Sequence, residues 1–321
     1  MKQKEILLFG ATGQIGRNLV RKLTKNDYKI TAVTRNVHTA GYKLKTQANP
    51  GYLKFIELKN FNLDKIDELM KNASICINLI GILYEKKKND FNVIHTDLPD
   101  FLSQKANKYK LDKFVHLSSL GIEEATDSKY AQSKLNGEKK IINNCENYII
   151  IKPSIVYSVD DNFTTNFMSL LSLLPIMPIY YNGKTKFSPI HVTDLVDIIY
   201  NLIENKNNKL ILECIGPEVL TFKEIIQKLL ISIGKRRLLV PLPFPLAKLS
   251  AKFLQLFPKP LLTEDQLNLL KYDNCKSDKY KNNFDLGFKT NKKFEEEIEK
   301  YSYNWRTGGQ FAKYNNLGNN K

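Results

Sequence analysis

The run Ile6-Leu7-Leu8-Phe9 ends in Gly10, and Ile15, Leu19, Val20 and Leu23 then recur at helical spacing. An apolar run, a glycine and an amphipathic helix, in that order, leave few options. The reading is a strand buried on both faces, a tight turn, and a helix that returns over the sheet. The pattern repeats. Apolar runs from Tyr28 to Val33, Leu53 to Leu58, Ile75 to Ile80, Phe114 to Leu117 and Tyr148 to Ile151 predict further strands. Helical stretches are expected from Leu63 to Met70, about Asn92 to Tyr109 and about Lys129 to Asn143. Such alternation predicts an α/β fold with a parallel sheet covered on both faces and right-handed crossovers.

The first turn reads Gly10-Ala11-Thr12-Gly13-Gln14-Ile15-Gly16. Three glycines at this spacing, between strand and helix, suit a dinucleotide. Gly10 allows the tight turn, Gly13 lets backbone approach a pyrophosphate, and Gly16 lets the helix pack on the sheet. Unpaired N–H groups and the positive end of the helix dipole would receive the phosphates. The fold class is thus a Rossmann-type doubly wound sheet with a smaller C-terminal lobe. An acidic residue at the end of the second strand would accept a ribose 2′-hydroxyl. The chain has Val33-Thr34-Arg35-Asn36 there instead. Arg35 can pair with a 2′-phosphate, so NADP(H) is favoured over NAD(H).

The fifth strand leads into Ser118-Ser119, and Tyr130-Ala131-Gln132-Ser133-Lys134 follows on a helix. One turn separates Tyr130 from Lys134, so the two side chains share a face. A lysine beside a phenol is expected to lower its pKa and ready it for proton transfer. The spacing alone carries little, because Tyr-x-x-x-Lys begins at Tyr84, Tyr109, Tyr130, Tyr148, Tyr180 and Tyr272 alike. Position carries the reading. Only Tyr130 follows a strand that ends in serines.

The glycine loop, the strand-end serines and Tyr130 to Glu138 together resemble the short-chain dehydrogenase/reductase superfamily, in its extended or atypical branch. Asn78 to Leu83, Lys152 to Tyr157 and Phe187 to Asp194 agree with it. In the last third, Val240 to Pro243, Leu261 to Leu267 and Leu270 to Asn274 resemble the nucleotide-binding accessory subunits of respiratory complex I. Bacterial relatives of those subunits are often labelled NAD-dependent epimerase/dehydratase. The resemblance implies that Gly10, Thr12, Gly13, Gln14, Ile15 and Gly16 hold the pyrophosphate. It places Arg35 at the 2′-phosphate, Asn60 at the adenine, Leu79 and Gly81 by the ribose, and Pro153 and Ile155 near the nicotinamide. Ser119, with Ser118 as the alternative serine, would stand with Tyr130 and Lys134 beside the nicotinamide ribose. Four departures stand out. Asn60 replaces an aspartate, Lys152 an arginine and Ser158 a glycine, and the short gap from Ser119 to Tyr130 removes a substrate-side loop. In complex I the nucleotide is regarded as structural. The alternative is an oxidoreductase or epimerase/dehydratase-like enzyme with Tyr130 as acid/base.

Composition bears on partners. The 321 residues carry 49 Lys and Arg against 33 Asp and Glu, a formal charge of +16. That excess favours anionic partners. From Ile225 to Thr263 lie Lys228, Lys235, Arg236, Arg237, Lys248, Lys252 and Lys259 and no acidic residue. Leu246, Leu249, Phe253 and Leu256-Phe257 recur there at helical spacing, as in a helix lying in an anionic membrane interface. Complex I subunits and such a membrane are the expected partners; no nucleic-acid motif occurs. The uncharged run from Asn162 to Gly183 is broken by Asn166, Pro175 and Pro178 and reads as buried or interfacial structure. Cys76, Cys145, Cys214 and Cys275 are scattered, as are the histidines, so neither a disulfide framework nor a metal site is expected. His116 reads as a sheet or core histidine. With no signal or transit peptide evident, the expected location is cytoplasmic, peripheral on the inner face of the cytoplasmic membrane. Residues 1–157 with about 190–215 would form the dinucleotide domain. About 158–189 with 216–305 would form the lobe, and 306–321 a polar tail.

Overall fold

The computed structural model describes residues 4–205, 207–255, 260 and 262–311. The N-terminal half runs β1 (Glu5–Phe9), α1 (Gln14–Thr24), β2 (Lys29–Thr34), α2 (Val37–Leu44), β3 (Leu53–Glu57), α3 (Leu63–Lys71) and β4 (Ile75–Asn78). There follow α4 (Asp90–Asn92), α5 (Leu98–Lys108), β5 (Lys113–Leu117), α6 (Lys129–Asn144) and β6 (Tyr148–Pro153). Next come β7 (Val156–Tyr157), α7 (Thr164–Leu173), β8 (Ile176–Tyr180), β9 (Lys186–Phe187), β10 (Ile190–His191), α8 (Val192–Glu204) and β11 (Leu210–Cys214). The remainder is β12 (Leu220–Thr221), α9 (Phe222–Ser232), β13 (Leu238–Leu242), α10 (Phe244–Leu254), α11 (Glu264–Leu269), β14 (Lys281–Asn282) and α12 (Phe294–Ser302).

Eight parallel strands form one sheet in the order β14-β11-β6-β5-β4-β1-β2-β3. Side chains alternate across it. Ile6 and Leu8 of β1 pack with α1 and α8, whereas Leu7 and Phe9 pack with α3 and α5. Both faces are therefore covered, as the apolar runs predict. Strand order reverses between β1 and β4, so a crevice opens at the carboxyl ends of the strands there.

A second apolar core gathers Tyr157, Met168 and Leu171, then Phe222, Ile225, Ile226 and Leu229 of α9, and Phe294 and Ile298 of α12. Thr221 and Glu224 form the expected capping box on α9. The uncharged run becomes α7 and β8. Among the described residues no helix is long and apolar enough to cross a membrane.

Two departures from the sequence reading matter. First, the expected continuous helix from Asn92 is interrupted by a wide π turn over Val93–Asp97. α6 approaches closely there: a Cβ on Gly137 would lie 1.9 Å from the His95 carbonyl oxygen. Second, the acid-free basic run is partly neutralised by groups outside it. Lys228 pairs with Glu295 and Lys248 with Glu264, while Arg237 donates to the Leu171 and Ser172 carbonyls. Arg236 and Lys252 remain exposed. Lys259, Leu256 and Phe257, the side chain of Phe253 and most of the expected polar tail lie outside the described residues.

Candidate functional site

The glycine turn is built for close approach. Gly10 has φ +83°, a left-handed conformation, and a Cβ there would meet the Leu79 carbonyl carbon at 3.0 Å. At Gly16 a Cβ would lie 2.2 Å from the Gly10 oxygen. α1 therefore starts flush against the turn. Helices α2, α3, α6, α9 and α11 each open with a side chain accepting a first-turn N–H. α1 opens with Gly13 and has no such cap. Its first N–H groups are left for an external anion, and Gly13 is exposed. This cradle fits a pyrophosphate.

The other expected positions line the same edge of the sheet. Leu79 N–H donates to the Phe9 carbonyl at 3.1 Å, which places the turn after β4 beside Gly10. Arg35 and Asn60 are exposed past the ends of β2 and β3. Among the described residues neither side chain has a protein partner. Gln14 sets its backbone N–H at the open start of α1, while its side chain turns away. Its amide donates to the Val156 carbonyl at 3.3 Å and to Ser158 Oγ at 2.9 Å, tethering α1 to the loop after β7. Arg17 reinforces this by donating to the Thr12 carbonyl at 2.8 Å and pairing with Asp160. The serine at 158 thus serves as the anchor point.

The two serines part ways. Ser118 turns inward and donates to the Glu138 carboxylate. Ser119, half-buried, lies by the Tyr130 phenol and favours its ionised form. Of the two serines, Ser119 is thus the one beside Tyr130. Leu120 N–H donates to the Pro153 carbonyl at 3.1 Å, which brings Pro153 and Ile155 beside this loop. Lys134, 3% exposed, donates from Nζ to the Leu117 carbonyl at 2.9 Å and lies beneath Gly81. Burial pulls the Lys134 ammonium down to about 8.

The expected lowering of the Tyr130 phenol does not occur in this structure. Burial raises it, Ser119 only partly opposes that, and the Asp265 carboxylate adds to the rise. The reason is packing. Tyr130 is 9% exposed, and its ring meets Phe91 and His95 edge-on with centroids 5.9 and 5.2 Å apart. Ile122, Ala125, Leu269 and Tyr272 join the same apolar cluster.

Sequence reasoning missed four supporting groups. His95 is fully buried. Its Nε2 accepts the Ile82 N–H at 3.1 Å, so Nδ1 carries the proton and faces Ser133 Oγ at 3.0 Å. Burial, then Lys134, depresses this imidazole to about 2 and keeps it neutral. Lys152 is fully buried and donates to Glu138 at 2.9 and 3.0 Å and to Glu123 at 2.6 Å. Burial alone would lower the Lys152 ammonium, but these two carboxylates raise it on balance. Glu57 of β3 accepts the Val37 N–H at 3.0 Å, so a carboxylate does stand two residues past Arg35, supplied by the neighbouring strand. Asp265 caps α6 from outside. His95 carried no signal, since it falls inside a helical pattern. His116 is a buried sheet residue facing Asn78 Nδ2 at 3.2 Å, as expected.

The chain is 25% identical over 283 residues to the NADH-ubiquinone oxidoreductase 40 kDa subunit, mitochondrial, of Neurospora crassa, covering 87% of this chain and 74% of that protein. It is 26% identical over 283 residues to the NADH dehydrogenase (ubiquinone) 1 alpha subcomplex subunit 9, mitochondrial, of Arabidopsis thaliana, covering 84% and 70%. A solved structure, the UDP-glucuronic acid 4-epimerase from Bacillus cereus with UDP-glucuronic acid and NAD, superposes with a TM-score of 0.69 at 18% identity. That superposition covers 94% of this chain and 99% of the epimerase, and establishes the likeness of fold. The model of the NAD dependent epimerase/dehydratase family matches residues 6–213, and with the glycine cradle, Ser119, Tyr130 and Lys134 in place, the chain belongs to that family.

Proposed function

We propose that this protein is a nicotinamide-dinucleotide-binding accessory protein of the kind its complex I relatives are named for. NADP(H) would lie on the glycine cradle as a structural ligand. The observation that carries this reading is the enclosure of Tyr130 by Phe91, His95, Leu269 and Tyr272. That enclosure leaves little room for a substrate at the phenol. A nearby cavity of about 500 Å³ is bordered by Glu85, Asp127, Lys129, Glu264 and Asp265, with Asp127 and Glu264 already paired to Lys271 and Lys248, so among the described residues it offers no cluster of free cations for a nucleotide-sugar diphosphate. Exposed Phe244, Leu246 and Leu249 on α10, with Arg236 and Lys252 also exposed, support docking of the lobe on complex I subunits or an anionic membrane surface. The proposed location is cytoplasmic, at the inner face of the cytoplasmic membrane.

A second reading rests on Ser119 beside the Tyr130 phenol and on the buried Lys134, one helical turn from Tyr130. These suit an NAD(P)-dependent oxidoreductase or epimerase/dehydratase-like enzyme. A bound nicotinamide would supply hydride transfer. Tyr130, protonated at neutral pH, would hold the proton for a substrate oxygen, with Ser119 orienting it. Native purification in mild detergent separates the readings. The accessory protein is expected to carry stoichiometric nucleotide, and Tyr130→Phe to leave that content unchanged. Fast nucleotide exchange, with turnover abolished in Tyr130→Phe, would overturn it in favour of the enzyme.

Cofactor choice turns on Arg35 against Glu57. A charge-assisted bond to a 2′-phosphate is worth about 1.5–3 kcal/mol, and Arg35 is exposed, so the low end applies. Arg35→Asp is expected to weaken NADPH binding at least about tenfold and to strengthen NADH binding, since the new carboxylate can accept the ribose 2′-hydroxyl. Glu57→Gln should strengthen NADPH binding. Titration by nucleotide fluorescence reads both, and unchanged NADPH affinity in Arg35→Asp would sink the preference.

A further inference from the structure

The segment from Thr263 to Asn274 resembles complex I accessory subunits in sequence, yet neither the cradle nor the cofactor accounts for it. Its own helix, α11, is closed by a capping box: Thr263 Oγ1 accepts the Gln266 N–H at 3.2 Å, and Gln266 Oε1 accepts the Thr263 N–H at 3.0 Å. Asp265 is therefore not needed at home and reaches across to α6. Its carboxylate accepts Ser128 Oγ–H at 2.8 Å, the Lys129 N–H at 2.7 Å and the Tyr130 N–H at 3.2 Å. Ser128 in turn accepts the Ala131 N–H at 3.1 Å. Three donors, one of them the backbone of Tyr130 itself, converge on a single carboxylate at the positive end of α6.

The rest of the segment grips the same region. Asp127, just ahead of α6, pairs with Lys271 and accepts the Tyr272 hydroxyl at 3.1 Å. Leu269 and Tyr272 pack into the apolar cluster around Tyr130. Asn274 Nδ2 donates to the Leu120 carbonyl at 2.6 Å, and Ser154 Oγ donates to Asn274 Oδ1 at 2.7 Å. One stretch of chain thus holds both the helix that bears Tyr130 and the loop that follows Ser119.

We propose that residues 263–274 are an intramolecular strap over the tyrosine helix, with Asp265 as the positioning residue for Tyr130. The strap fixes where the phenol sits relative to Ser119 and keeps it covered. This deepens the reading above and rests on it only in taking Tyr130 as the residue beside the nucleotide.

The test is amide hydrogen exchange on the full-length protein and its variants, with and without added NADPH. Asp265→Ala is expected to speed exchange at Lys129, Tyr130 and Ala131 about tenfold, the usual cost of a lost cap. The second half of α6, around Ile141, should not change. Asp265→Asn keeps an acceptor oxygen but not the charge and should rescue part of the protection. It also serves if the alanine variant fails to fold. Glu264→Ala, beside it, should leave these amides alone. Nitration of Tyr130 by tetranitromethane, mapped by mass spectrometry, should rise in Asp265→Ala and in Tyr272→Ala. Unchanged local exchange in folded Asp265→Ala, acceleration spread evenly over the chain, or the same effect from Glu264→Ala would each overturn the proposal. Nucleotide content is read on the same samples. Its absence from the wild type would fail the cofactor reading and leave the exchange result standing.

Discussion

Gly16→Ala is expected to cost about 3 kcal/mol of stability, the upper range for overpacking, and to remove nucleotide binding. The new methyl group would lie 2.2 Å from the Gly10 oxygen and 2.7 and 2.8 Å from Ala11 Cα and its carbonyl carbon. All three are backbone atoms, so no rotamer change relieves the clash. α1 must lift from the turn, taking with it the N–H groups that face the anion. Gly13→Ala is the informative contrast. Its Cβ would meet only the Gly10 oxygen, at 3.4 Å, an ordinary contact. That variant should unfold at nearly the wild-type urea midpoint but hold nucleotide less well, because the added methyl stands on the exposed lip of the cradle. Urea melts paired with measured nucleotide content check both. A wild-type midpoint in Gly16→Ala would show that the close approach of α1 is not a constraint.

Lys152→Met is expected to be comparably damaging, about 3–5 kcal/mol, because it strands a buried carboxylate. Glu138 is 2% exposed and keeps only the Ser118 hydroxyl once Lys152 is gone. Burial already raises the Glu138 carboxyl above its ordinary value, with Lys152 opposing. Without the lysine it rises further. A folded-state value above the unfolded one means the stability it carries is present at low pH and lost as pH rises through the folded value. The variant should therefore lose more stability at pH 8 than at pH 5. Adding Glu138→Gln, which keeps an acceptor for Ser118, should recover most of the loss and flatten the pH dependence. Equal losses at both pH values would mean that the stranded charge is not the cause. Lys152 reads in the sequence as a departure from arginine. In the fold it is the cation that makes two inward carboxylates tolerable.

How much was legible depended on distance along the chain. The strand and helix pattern, the glycine turn and the Thr221 capping box are local. Their residues lie within one or two turns of each other, and periodicity records which face each buries. The sequence by itself therefore determined the parallel sheet, the cradle at the end of β1 and the candidacy of Tyr130 and Lys134. It favoured Ser119 but kept Ser118 as the alternative, because only packing against α6 sends Ser118 to Glu138 and leaves Ser119 by the phenol. It could not find the π turn at His95, where α6 packs Gly137 closely against the backbone. Nor could it show that Glu57 of one strand reaches the helix after another, or that Asp265 caps the tyrosine helix from 135 residues away. Local periodicity encodes which face of an element is apolar; which polar groups meet across the closed fold is decided only when distant segments dock and every buried donor must find an acceptor.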